Sequence, residues 1–104
     1  MDGVLEFYRP SFGNKLKTEL AIVQVKGGNV SADSVRAMYQ VVKEKGATAG
    51  IVLCFADQLG TVENNRSQET FSDALGKVYP AIQGFSIEAM LDGQFPNLPY
   101  LMGK

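Results

Sequence analysis

The chain has 104 residues, of which 45% are hydrophobic and 20% charged, with a formal net charge of -1; that is the make-up of one small globular domain with a single core. It has no histidine and one cysteine, Cys54, which excludes the usual zinc sites, Ser-His-Asp and Cys-His catalysis, and an internal disulfide. No apolar run reaches the length of a membrane span and no signal peptide leads the first strand, so the expected setting is a reducing cytoplasm. Any hydrolytic chemistry here has to use carboxylates, lysine and a hard metal ion.

Two apolar segments open the chain, Asp2-Gly3-Val4-Leu5-Glu6-Phe7 and Glu19-Leu20-Ala21-Ile22-Val23-Gln24-Val25-Lys26-Gly27-Gly28. They read as an antiparallel hairpin closed by Arg9 to Lys17. Strand alternation sends Gln24 and Lys26 to one face and Val23 and Val25 to the other. A register with Asp2 opposite Lys26 and Val4 opposite Gln24 puts Asp2, Gln24 and Lys26 on a common face. A slip of two residues keeps that arrangement, whereas a slip of one breaks it. An amide and an ammonium group at the end of so apolar a strand add nothing to a core. Beside a carboxylate they can form a metal and phosphate site; the plainer reading is an edge strand guarded against aggregation. Glu6 has the parity of Asp2, and exposed strand Glu is its plainer reading.

Ser31 is a good N-cap, with Asp33 in the first turn, where the helix dipole favours an anion. Val35, Met38, Tyr39 and Val42 then recur at helical spacing up to Lys43 and Lys45, and Gly46 closes the helix. Residues Ala49 to Ala56 are apolar throughout, as in a strand covered on both faces. Asp57 to Asn64 read as a polar loop, followed by a helix from about Asn65 to Leu75 that buries Phe71, Ala74 and Leu75. Ile82 to Ser86 reads as a short strand, and Ser86 caps a brief helix through Leu91 that Gly93 stops. Residues 1–93 thus form the domain, and 94–104, with Pro96 and Pro99, an extended or disordered tail. The order β-β-α-β-α-β-α predicts an α/β fold: a mixed central sheet flanked by helices, its later strands parallel and joined by right-handed crossovers. Ile22, Val23, Val25, Val35, Met38, Val42, Ile51, Leu53, Phe55, Phe71 and Ile82 are expected in the core.

Asp-Gly at the head of one strand and Gln-Val-Lys-Gly-Gly at the end of the next resemble the restriction-endonuclease-like superfamily, whose signature is PD-(D/E)xK. More narrowly they resemble its Mrr-like branch, where Gln often replaces the acid of the second motif. Val30-Ser31, Val35-Arg36, Val41 to Glu44, Ala49 to Leu53, Lys77 to Gln83 and Ser86 to Gly93 extend the likeness to domains attached to bacterial DNA methyltransferases. The resemblance implies a restriction-endonuclease-like core lacking its usual first helix and strand, either as a fragment or as a short natural chain. Relatives tend to carry Glu where this chain has Ala89.

The resemblance further implies a metal-dependent DNA endonuclease associated with restriction-modification. Asp2, Gln24 and Lys26 would be catalytic, with a weakly bound magnesium or manganese ion on Asp2, Gln24 and the Val25 carbonyl. Double-stranded DNA would be the partner, met by Lys15, Lys17 and Arg36. The alternative is a catalytically inactive remnant of the nuclease fold that binds DNA or oligomerises. Gly27-Gly28 turn the chain, or admit a DNA backbone; Cys54 reads as a buried hydrophobe. A homodimer is expected, because a core without its first elements leaves apolar surface uncovered.

Overall fold

The computed structural model describes residues 2–11, 15–72 and 76–98, with backbone alone at residues 2, 5–11 and 15–18. Strands β1 (Asp2–Ser11) and β2 (Lys15–Lys26) form a long antiparallel hairpin. Helix α1 (Ala32–Glu44) leads to β3 (Ala49–Cys54), and α2 (Leu59–Asn65) follows a 3-10 turn at Ala56–Gln58. A small hairpin, β4 (Thr70–Ser72) with β5 (Val78–Pro80), precedes β6 (Ile82–Ser86) and the five-residue α3 (Ile87–Leu91). The main sheet runs β1-β2-β3-β6, with β1 antiparallel and the other three mutually parallel. This is the mixed α/β architecture that the segment order predicts.

The sheet advances in one direction, so right-handed crossovers put both connecting helices on the same face. On that first face Ile22, Val52, Cys54 and Ile82 pack beneath Val35, Met38 and Val42 of α1 and Val62 of α2. The α1 stripe is at most 1% exposed, and each such side chain contributes about 1.5–3 kcal/mol by leaving water. Ser31 accepts a hydrogen bond from Ser34 N–H at 3.1 Å to start α1, and Gly46, at φ 68°, lets the chain turn off its end. Two other glycines act through their missing side chains. A Cβ on Gly50 would lie 2.7 Å from Val42 Cγ2 and 2.8 Å from Met38 Cε, and one on Gly84 3.1 Å from Val62 Cβ. Each lets a helix sit close on the strand beneath it.

The second face carries no long helix among the described residues; the five-residue α3 and the segment after it lie over part of it. Ala21, Ala49 and Ile51 are buried there against Val23, Phe71, Phe85 and Leu98. Gln83 is 7% exposed on this side and clamps the tail: its Nε2 donates to Asn97 O at 3.0 Å, and Asn97 N–H donates to its Oε1 at 2.9 Å. Residues 94–98 are therefore strapped to the sheet, while 99–104 lie outside the described residues. At the outer edge of β6, Arg66 donates to Ile82 O at 3.4 Å and Ala81 N–H to Glu69 O at 2.9 Å.

The core expectation holds for Ile22, Val35, Met38, Val42, Ile51, Leu53 and Ile82, whereas Val23, Val25 and Phe71 are half-buried. Phe55 is 44% exposed, because β3 stops at Cys54 and Phe55 becomes the cap of the 3-10 turn. The second helix also needs correction: it occupies residues 59–65, ending where it was expected to begin and otherwise inside the stretch read as a loop, and residues 70–72 form a strand. Arg66 turns to extended backbone (φ -69°, ψ 153°) and ends the helix. Phe71 then stacks on its cross-strand partner Tyr79, ring centroids 5.3 Å apart, so its burial comes from a hairpin. Ala74 and Leu75 lie outside the described residues.

The glycine geometry makes a paired test. Gly50→Ala should lower the unfolding free energy by about 1–3 kcal/mol through overpacking. Gly60→Ala, at an exposed helical position with open space around it, should raise it by about 0.4–1 kcal/mol. Urea denaturation of both variants checks the contrast, and equal effects would refute it.

Candidate functional site

The apolar ladder that builds the core also delivers polar groups to its end. In the parallel β2–β3 register Gln24 lies beside Val52 and Lys26 beside Cys54. Val52 and Cys54 belong to the helix-covered face, so Gln24 and Lys26 project to that face at the carboxyl end of β2. Both are half-buried. Among the described residues Lys26 has no ion-pair partner, the described pairs being Arg36 with Asp33 and Arg66 with Glu63.

The β1–β2 register pairs Asp2 with Gln24 and Val4 with Ile22. It differs by two residues from the register expected from the sequence and has the same parity. The backbone position of Asp2 is thus beside Gln24, two residues from Lys26. The side chains of Asp2, Lys15 and Lys17 lie outside the described residues. Arg36 donates to Asp33 Oδ1 at 2.9 Å and Asn65 Oδ1 at 3.0 Å, tying α1 to α2, and its side chain stays 60% exposed.

Beyond Lys26 the chain runs through exposed Gly27, Gly28 and Asn29 into α1. Neither glycine has an atom within 4 Å of a built Cβ, nor a left-handed φ. No internal contact demands glycine there, and the backbone is open to approach from outside. Val30 N–H donates to Gln58 Oε1 at 3.0 Å, which anchors this loop to the 3-10 turn. The next loop is fixed similarly: Glu88 on α3 accepts Ala56 N–H at 3.0 and 3.3 Å. Gln58 and Glu88 hold the loops around the site, and sequence reasoning missed both. Their partners are 28 and 32 residues away, so no local pattern reports them. Ser86 does cap α3, accepting Ala89 N–H at 2.9 Å. Ala89 cannot reciprocate as a glutamate would.

A hard cation needs oxygen donors, preferably anionic. By residue type alone, Asp2, the Gln24 amide oxygen and the Val25 carbonyl are chemically suitable but sparsely charged donors. Among the described residues no three His, Cys, Asp or Glu side chains gather to hold a metal. The fit to magnesium or manganese is one carboxylate plus neutral oxygens, which implies loose binding.

Cys54, fully buried next to Lys26 in the register, has its thiol pKa pushed up by burial first, then by the carboxylates of Glu88 and Asp57. A protonated thiol is a poor nucleophile. The folded pKa lies above the unfolded one, so the associated stability is full below the unfolded value of about 8.5. It falls as pH rises from there towards the folded pKa, since the unfolded chain then releases its proton first. Urea unfolding between pH 7 and 10 should show this decline, and Cys54→Val should flatten it; an identical slope in the variant would refute the assignment. Comparison of the chain with family models, with curated proteins and with solved structures found no match.

Proposed function

We propose that the chain is a metal-dependent DNA endonuclease domain of the kind associated with restriction-modification, acting on double-stranded DNA. One observation carries this reading. Gln24 and Lys26 lie half-buried on one face at the end of β2, Lys26 has no ion-pair partner among the described residues, and the register sets the backbone of Asp2 beside Gln24. A half-buried lysine without an ion-pair partner among the described residues adds little to a core but is useful opposite a phosphate.

A magnesium or manganese ion, when bound, would activate water and neutralise charge on the scissile phosphate. Asp2, the Gln24 amide oxygen and the Val25 carbonyl would hold it. The Lys26 ammonium would stabilise negative charge on the phosphate oxygens as the phosphorus–oxygen bond breaks. The open backbone of Gly27-Gly28 would let a phosphate strand come close. Lys15, Lys17 and Arg36 would supply affinity, and their exchange of counterions would make binding weaken with salt.

Plasmid nicking should require added magnesium or manganese. It should fall at least about 10²-fold in Asp2→Ala and in Lys26→Ala, the scale for losing one transition-state contact. Metal-free DNA binding should survive Asp2→Ala. Cleavage without metal, or full activity in either variant, would overturn the mechanism. DNA binding with no cleavage under any metal would assign the chain to the inactive-remnant reading instead.

A further inference from the structure

Strand β2 is paired with β3 from Ala21 to Lys26, and β1 is paired with β2 alone. The opening hairpin therefore outruns the sheet. Past the bond from Thr48 N–H to Leu20 O at 2.9 Å, residues 7–11 and 15–19 continue as a two-stranded ribbon, with no third strand beside them among the described residues. It projects about 17 Å beyond Leu20 at the usual rise of a strand. Residues 7–18 contain three cations, Arg9, Lys15 and Lys17, and no carboxylate. Arg9 is paired with Lys17, and Ser11 with Lys15. Paired residues share a face, so all three cations fall on one face of the ribbon, the one that continues Ala21 and Val23. Glu6 has the opposite parity, and Glu19, at the base, accepts a hydrogen bond from Thr48 Oγ1.

Such a ribbon is unfavourable on its own. Like charges directly opposed repel, and two strands without a third bury little. Surrounding phosphates offset both costs. We propose that the ribbon is an arm that lies in the major groove of B-form DNA, its three cations countering the phosphates on either side. Shape agrees with charge: two strands about 4.8 Å apart enter a groove about 12 Å wide, which admits a two-stranded ribbon. The deep, narrow major groove of A-form RNA does not. The arm and Lys26 are at opposite ends of β2, Lys17 being about 30 Å of strand from Lys26. One turn of B-DNA is about 34 Å, so a single duplex can meet both. The arm shares its DNA partner with the nuclease reading but not its chemistry, and it serves an inactive domain equally well.

Fluorescence anisotropy of a labelled DNA duplex of about two turns, with a chelator present, measures the arm apart from any cleavage. The slope of log K against log salt should fall in magnitude by about 0.9 in Arg9→Gln and by about 2.7 when Arg9, Lys15 and Lys17 are all changed to Gln. The triple variant should bind at least about 30-fold more weakly at about 0.1 M salt. Lys43→Gln, which takes the same charge from an exposed position on α1 in the other layer, should leave the slope unchanged. Because Arg9 opposes Lys17, Arg9→Gln should keep or raise the melting temperature, so its weaker binding does not come from unfolding; a fall would refute the opposed-charge register. An RNA duplex of the same sequence should bind more weakly, and anionic phospholipid vesicles should not compete. No DNA binding by the intact chain, an unaltered slope in the triple variant, an equal loss from Lys43→Gln, or a preference for RNA or vesicles would overturn the proposal. Metal-free binding that depends on the arm, with no nicking under any metal, would support the arm while sinking the nuclease reading alone.

Discussion

Everything else in this molecule hangs on β3 being buried towards both faces. All six of its residues are buried, and among the described residues it is the one strand paired in parallel on both sides, to β2 and to β6. A parallel neighbour demands a crossover, and two crossovers in the same direction bring α1 and α2 onto one face. Gly50 and Gly84 let those helices settle against the sheet. The loops at the carboxyl ends of β2 and β3 are consequently held side by side, and there Lys26 lies beside Cys54, two residues beyond Gln24.

The same constraint separates the molecule's two surfaces of interest. Odd positions of β2 supply the second face, with Ala21 and Val23 in its cluster, while even positions pass from buried Ile22 to half-buried Gln24 and Lys26. One strand therefore carries a core seam and a polar terminus on one side and an apolar wall on the other. Anything that shifted β2 by one residue would exchange these roles.

Much of the frame was legible because its signals are local. The α1 stripe, Ser31, Gly46, the uniform apolarity of Ala49 to Cys54 and the Ser86 cap are each read from a few adjacent residues. The parity of Gln24 and Lys26 follows from strand alternation alone. What failed to show was decided at long range. Helix α2 offers just Leu59 and Val62 as apolar contacts, too short a period to recognise. Phe71 looked like a helix anchor because its partner Tyr79 is in another strand. The supports at Gln58, Gln83 and Glu88 are side chains bonding backbone 14 to 32 residues away. For the site, the residue types and their spacing could be read, but the pairing of Asp2 with Gln24 in place of Lys26 depended on the hairpin's register.

The bonds along the outer side of β6 have a bearing on solubility. A sheet edge with free peptide groups is a template for another chain, and proteins blunt it with charge or cover. Here the Arg66 guanidinium occupies the Ile82 carbonyl, and Ala81 N–H is taken by Glu69. A cation thus stands where an incoming strand would have to bond, so sheet-on-sheet growth into fibrils is discouraged at that border. The opposite border, β1, carries Glu6, Arg9 and Pro10 in its sequence, residues that give a foreign strand two charges and a missing donor to contend with. Aggregation by edge addition is opposed at both ends of the sheet, by a side chain laid over one and by the choice of residues in the other.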